Sequence, residues 1–302
     1  MRGAEQVVAE LRARGELWDA APGLTGLRGD VRDLRRRVER ALAALDASEG
    51  AEEWSVPAAL SLETLARAGY FASFPQWLTL AAHLREDAAA LEAVARSDRP
   101  AQAARAAAAP AAAALPPAVC YHVYAALADS TLDRTRVVGV QGTCWRHEGA
   151  RLRPLARGWA FTMRETVCLG AAPHVAALRA RGAERALAFA RALGLPARLE
   201  AATDPFFAPT ARGQALLQRV KGLKQELLLG VGAEELAASS FNLHEEFFGD
   251  AFAIRAADGA PAASGCVAHG VERWLLAVLS THGCDPRGWP PIQTSLPREV
   301  PA

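Results

Sequence analysis

Glu165 sits in the middle of an apolar stripe. In the run AFTMRETVCLG, strand side chains alternate with period two, so Phe161, Met163, Glu165, Val167 and Leu169 share one face. A carboxylate placed there has to be paired or bound to a metal, because an isolated buried charge costs too much. The run before it, VVGVQGTCWRHE, puts Gly142, Cys144, Arg146 and Glu148 on one face, so an arginine and a second glutamate point the same way. The whole stretch Val137 to Gly170 reads as a β-hairpin with a basic loop, carrying charges where core is expected. Arg273 is the third unusual charge. It falls in the first turn of a helix expected over Val271 to Ser280, where the macrodipole and the free N–H groups disfavour a cation, so an arginine there serves an anion.

These residues need a scaffold, and 302 residues are enough for one large α/β domain with appendages or for two domains. With 34 basic against 33 acidic residues the chain has no polyanion-binding signature, so nucleic acid is not the expected partner. Five cysteines without a short repeated spacing make no disulfide framework, and there is no leading signal peptide or long apolar run, so a cytoplasmic protein with no membrane contact is expected.

In chain order, Met1 to about Ala47 reads as polar helix with a seam at Val31, Leu34, Val38, Leu42 and Leu45. Arg35 to Arg37 are balanced by Asp30, Asp33 and Glu39, as on a solvated helix face. Gly50 to Pro57 breaks the pattern, and AGYFASFPQWL, Ala68 to Leu78, reads as a loop or short strand covering something apolar. Residues 81 to 114 are read as helix fading into an alanine-rich connector, and VCYHVYAALAD, Val119 to Asp129, as a strand with Cys120 near its start. Pro173 to Leu193 has helical spacing, Ala201 to Thr210 is a loop with two phenylalanines, and Val220 to Leu229 is a strand holding Lys221, Lys224 and Glu226. Asp258-Gly259 marks a hairpin turn ahead of SGCVAHG and the helix with Arg273.

Arg146-His147-Glu148 in a strand followed by a basic loop resembles motif 2 of class II aminoacyl-tRNA synthetases, and Gly270-Val271-Glu272-Arg273 opening a helix resembles their motif 3. The closer resemblance is to the amino acid:[carrier protein] ligases, which look like the catalytic core of archaeal-type seryl-tRNA synthetases. It runs from about Ala68 through Pro290, in blocks such as GTCWRHE, FTMRETVCLG, SSFNLHEEFFG and SGCVAHGVERW. His122, Ala125 and Trp145 depart from the family's pattern, and the loop Gly149 to Gly158 is slightly longer.

The resemblance implies a mixed α/β (α+β) fold, a mainly antiparallel sheet flanked by helices, with an N-terminal helical extension over residues 1–50 and a catalytic domain over 51–302. It implies Zn2+ held by Cys120, Glu165 and Cys266, with a fourth position open to the substrate's amino group. Cys144 and Cys168 remain alternative thiolates on spacing alone, although small buried hydrophobes are the commoner role. ATP, with Mg2+, is implied at Arg146 on the α-phosphate, Glu148 on the adenine amino group, Arg157 in the hairpin loop and Arg273 on the γ-phosphate, with Lys224 and the block Ser239, Ser240, Phe241, Asn242 nearby. Arg146 and Arg273 are the expected catalytic residues. The implied reaction is activation of a small amino acid, glycine or alanine before serine, and transfer to the phosphopantetheine thiol of a holo carrier protein by a homodimer, with the aromatic region Gly69 to Trp77 at the dimer interface. The alternatives are a tRNA-charging enzyme and a silent paralogue that only binds; the intact Arg146, Glu148 and Arg273 argue against the latter.

Overall fold

The computed structural model describes residues 1–205, 207, 218 and 220–292. Helix α1 (Ala4–Ala13) leads into the hairpin β1 (Leu17–Ala21) and β2 (Leu24–Leu27), then α2 (Gly29–Ala47) and β3 (Glu52–Trp54). A satellite region follows: β4 (Leu60–Ser61), α3 (Leu62–Arg67), α4 (Tyr70–Ser73), β5 (Thr79–Ala81), α5 (Ala88–Ala95), α6 (Pro100–Ala106) and β6 (Ala113–Leu115). Then come α7 (Cys120–Ala126), β7 (Arg136–Trp145), β8 (Ala160–Gly170), α8 (Ala172–Ala192), β9 (Ala197–Ala201), β10 (Lys224–Val231), β11 (Glu234–Glu245), α9 (Phe247–Ala251), β12 (Ala263–Gly270) and α10 (Val271–His282).

Seven strands form the central sheet in the order β3-β7-β8-β12-β11-β10-β9, antiparallel except for the pair β3 and β7. The mixed α/β architecture with a mainly antiparallel sheet is the one expected. Alternation decides what each face packs against. On one side Cys168, Val267, Phe241 and Leu227 meet α2, α8 and α10, with Trp274 at the centre of that core. On the other side Val138, Val140, Met163, Val167 and Leu169 meet α7, α9 and the segment Phe252 to Ile254. The α2 seam Val31, Leu34, Val38, Leu42 and Leu45 is buried throughout, in the same core as α10.

Three local expectations are overturned. Residues 1–47 are not continuous helix: Pro22-Gly23 turns the chain between β1 and β2, with Gly23 at φ +74°, where a side chain is strained. That turn docks on the central hairpin, since the Gly23 carbonyl accepts the Trp159 N–H at 2.8 Å and a Cβ on Gly23 would meet the same nitrogen at 2.8 Å. The segment after Val119 is helix rather than strand, because Cys120, Val123 and Tyr124 at i, i+3, i+4 put three buried side chains on one helical face. The turn at Asp258-Gly259 forms, closed by Ala256 and Ala260, yet the chain before it makes only isolated bridges, Arg255 to Pro261 and to Thr131, not a strand. Of the loop Ala201 to Thr210, Phe207 is exposed and Phe206 lies outside the described residues. Among the described residues no helix is long and apolar enough to cross a membrane.

Candidate active site

Register gathers the site onto one face of the sheet. Val167 on β8 faces Cys266 on β12, Cys266 faces Asn242 on β11, and Asn242 faces Lys224 on β10. The next row of the same face runs Glu165, Ala268, Ser240 and Glu226. Cys266, Asn242 and Lys224 of the first row and all of the second floor a cavity of about 450 Å³, which Arg146, Glu148, Arg157 and Arg273 line from the hairpin and from α10. Its roof is aromatic: Phe74 and Trp77 stack at 5.4 Å, and the Arg146 guanidinium lies 5.5 Å from the ring centres of both Trp77 and Phe161. Tyr70, Phe74 and Trp77 of the aromatic segment line the cavity, in keeping with a segment that covers something apolar.

Three arginines, Arg146, Arg157 and Arg273, gather at one end of the cavity. Arg146 is aimed by its Nε donating to the Pro117 carbonyl at 2.8 Å. Arg273, which opens α10, donates from Nε to the Ala156 carbonyl at 2.8 Å and from Nη1 to the Ala237 carbonyl at 2.7 Å. Burial, and then the positive charges of Arg157 and Arg146, pull the Arg273 pKa down to about 10. Three guanidinium groups sharing one desolvated site is unfavourable unless an anion joins them. Arg157 meanwhile pairs with Glu148. Lys224 pairs with Asp204 and, at 3.1 Å, with Glu226; burial would lower its pKa, but the two carboxylates outweigh it and the pKa is raised.

The other end holds the predicted metal ligands. Cys120 opens α7, and its backbone N–H donates to Glu165 Oε2 at 2.7 Å. The Cys120 and Cys266 thiols lie close enough to shift each other's titration, and Asn242 Nδ2 approaches Cys266 Sγ at 3.4 Å. Burial and the nearby Cys266 push the Glu165 carboxyl up to about 8, whereas hydrogen bonds from Cys120, His244 and Asn242 hold Cys266 well below a free thiol. Among the described residues no group of three or more His, Cys, Asp or Glu is arranged to hold a metal ion. The donor chemistry itself, two thiols and a carboxylate facing a cavity, suits zinc. Cys144 and Cys168 are buried in the two apolar cores with their pKa values raised, chiefly by burial, as structural thiols are.

Not every expected residue reaches the cavity. Phe241 lies on the opposite face, fully buried against α8 and α10, because it is out of phase with Ser240 and Asn242. Ser239 shares that opposite phase and only rims the cavity; its hydroxyl accepts from Trp274 Nε1 at 2.9 Å and is 2.7 Å from His269 Nδ1. Arg35 is not free on a solvated face, being held by Glu39, Glu272 and the Thr162 hydroxyl, and Arg37 lies over Trp289. Asp204, His244 and Tyr70 line the cavity without having been singled out. A signal existed for Lys224 and Glu226, two charges two residues apart in a strand, but Asp204 pairs with Lys224 only through the fold.

No protein-family model matches the chain. A Bradyrhizobium diazoefficiens protein, amino acid–[acyl-carrier-protein] ligase 1, is 38% identical over 261 residues, 84% of this chain and 79% of that protein. The chain belongs to this ligase family. Ligase 2 of the same organism is 35% identical over 275 residues, covering 89% of this chain and 81% of its own length. A type-2 serine–tRNA ligase of Methanopyrus kandleri is 26% identical, and this chain covers 56% of it. In structure, M. kandleri SerRS, solved with A. aeolicus tRNASec, superposes with a TM-score of 0.86 over 97% of this chain and 60% of that one, at 22% identity. This ligase therefore carries the class II seryl-tRNA synthetase catalytic fold.

Proposed function

We propose that this ligase activates a small amino acid with ATP and Mg2+ as the aminoacyl adenylate and passes it to the phosphopantetheine thiol of a carrier protein. The observation that carries the reading is the convergence of Arg146, Arg157 and Arg273 on one cavity whose far end is Cys120, Glu165 and Cys266. A triphosphate satisfies the guanidinium cluster, and Glu148 is freed to meet the adenine amino group once Arg157 turns from it to phosphate. A carboxylate oxygen of the amino acid attacks the α-phosphorus in line, forming the acyl–phosphate bond while the bond to the bridging oxygen breaks and pyrophosphate leaves. Positioning and charge neutralisation dominate such a step, and the arginines supply both. The thiolate of the carrier then attacks the acyl carbon, and AMP departs. Asp204 and Glu226 offer hard oxygen donors for Mg2+ in the same cavity.

Cys120, Glu165 and Cys266 would hold zinc, which when bound supplies an open position for the substrate's amino group. Met163, Tyr121 and Phe248 crowd that end, which supports glycine or alanine over serine. The enzyme acts as a homodimer in this reading, as its resemblance to the class II synthetase catalytic core implies. The test is amino-acid-dependent exchange of labelled pyrophosphate into ATP across the twenty amino acids. Exchange with glycine or alanine is expected, and none with any amino acid would remove the activation reading.

A further inference from the structure

Among the described residues, the buried side-chain polar atoms that lack a hydrogen-bond partner include two on residues of the cavity wall, Tyr70 Oη and His269 Nε2. His269 Nε2 faces Asp46 Oδ1 at 3.6 Å, behind the sheet. The Tyr70 hydroxyl has no such neighbour. Tyr70 is 3% exposed, and its ring is fixed 5.7 Å from Phe74 and edge-on to Tyr121 at 5.9 Å, so the hydroxyl cannot swing out to water. Burial keeps the phenol protonated, with its pKa pushed up to about 12, and Arg146 is the positive charge it senses. A protonated hydroxyl here can donate, and a buried donor left unsatisfied on the wall of a binding cavity finds its partner in the ligand.

Its place in the cavity names that ligand group. Tyr121, against which Tyr70 packs, follows Cys120 at the amino end of the site, and Arg146 stands at the phosphate end. Between amino group and α-phosphate lies the carboxylate. We propose that Tyr70 Oη–H donates a hydrogen bond to the carboxylate of the amino acid substrate and keeps hold of that oxygen as it becomes the acyl oxygen of the adenylate. This rests on the reading of the cavity as an amino-acid activation site.

Tyr70→Phe removes the hydroxyl and leaves the ring packing. Without ligand the variant melts at the wild-type temperature or above it, because an unpartnered buried hydroxyl adds nothing to the native state. In pyrophosphate exchange its KM for the amino acid rises about tenfold, the size of one hydrogen bond to a charged group, with the KM for ATP within about twofold of wild type. A lower melting temperature without ligand would mean that the hydroxyl has a protein partner, and an unchanged amino-acid KM would mean that the substrate does not touch it; either result overturns the proposal. Wild type run in parallel separates the two levels: no exchange there sinks the activation reading and this inference together, whereas normal wild-type exchange with an unaltered variant sinks this inference alone.

Discussion

Arg273 is where local physics and chemistry disagree most openly. A cation at the start of a helix opposes the macrodipole, and this one is buried beside two other guanidinium groups. Its two carbonyl acceptors, Ala156 and Ala237, hold the fork rigid at that cost. Arg273→Lys keeps the charge but loses the fork, and pyrophosphate exchange should fall by roughly 10²–10³, the size seen when a preorganised transition-state donor is removed. A melting temperature at or above wild type alongside that loss would mark the arginine as a group kept for its ligand. The thiols divide in the same spirit. Cys266→Ser should lower the zinc content of purified protein, while Cys144→Ala and Cys168→Ala should retain it; zinc kept in the first and lost in the second would move the site to Cys144.

Between elements, a buried network ties the N-terminal helix to the back of the site. Asp46 at the end of α2 accepts from Arg164 Nε at 2.8 Å, Arg164 also reaches Glu53 on β3, and His269, hydrogen-bonded to Ser239 through Nδ1, sets its Nε2 3.6 Å from Asp46. Burial favours the neutral carboxyl of Asp46, but His269 and Arg164 outweigh it and hold the pKa below the ordinary value. A depressed carboxylate stabilises the fold above its ordinary pKa and loses that contribution as pH falls through the lower folded value. Asp46→Asn should therefore cost about 1–3 kcal/mol near neutrality, because Arg164 loses one charged partner while keeping Glu53. The gap to wild type should narrow below about pH 4, as the unfolded carboxylate titrates. Melting curves from pH 7 to pH 3 check it, and parallel curves for the two proteins would exclude the linkage.

That network was invisible in the sequence, since nothing local pairs residues 46, 164 and 269. Strand alternation was legible, and it alone marked Glu165 as a carboxylate needing an explanation. Helix periodicity gave the α2 seam and α10. Where local signals competed the reading slipped: the β-branched and aromatic character of VCYHVY outweighed its helical burial spacing, and Pro22-Gly23 was absorbed into a helix it in fact interrupts. Phe241 followed its neighbours in a motif although period two sends it to the far core.

At the scale of the whole molecule the open choice is the acceptor. Binding tRNA draws on many cations free to meet phosphates, each releasing counterions. Here the net charge is +1, and arginine after arginine is already committed within the chain: Arg67 to Asp129, Arg153 to Glu234, Arg181 and Arg185 to Glu49, Arg198 to Glu200 and Glu235. Exposed pairs of this kind hold weakly, about 0–1 kcal/mol each, yet each occupies a cation that would otherwise be free to meet a phosphate. A carrier protein asks less of the surface, because only its phosphopantetheine arm has to reach the adenylate and present a thiol. Incubating enzyme, ATP and labelled amino acid with holo-carrier, apo-carrier and total tRNA in parallel should place thiol-labile label on the holo-carrier alone. The transfer should weaken only modestly between about 50 and 200 mM salt, in contrast to the 10³–10⁵-fold loss of a binder with many phosphate contacts. Label on tRNA that survives thiol treatment, with none on holo-carrier, would reverse the assignment while leaving the activation chemistry proposed for Arg146 and Arg273 intact.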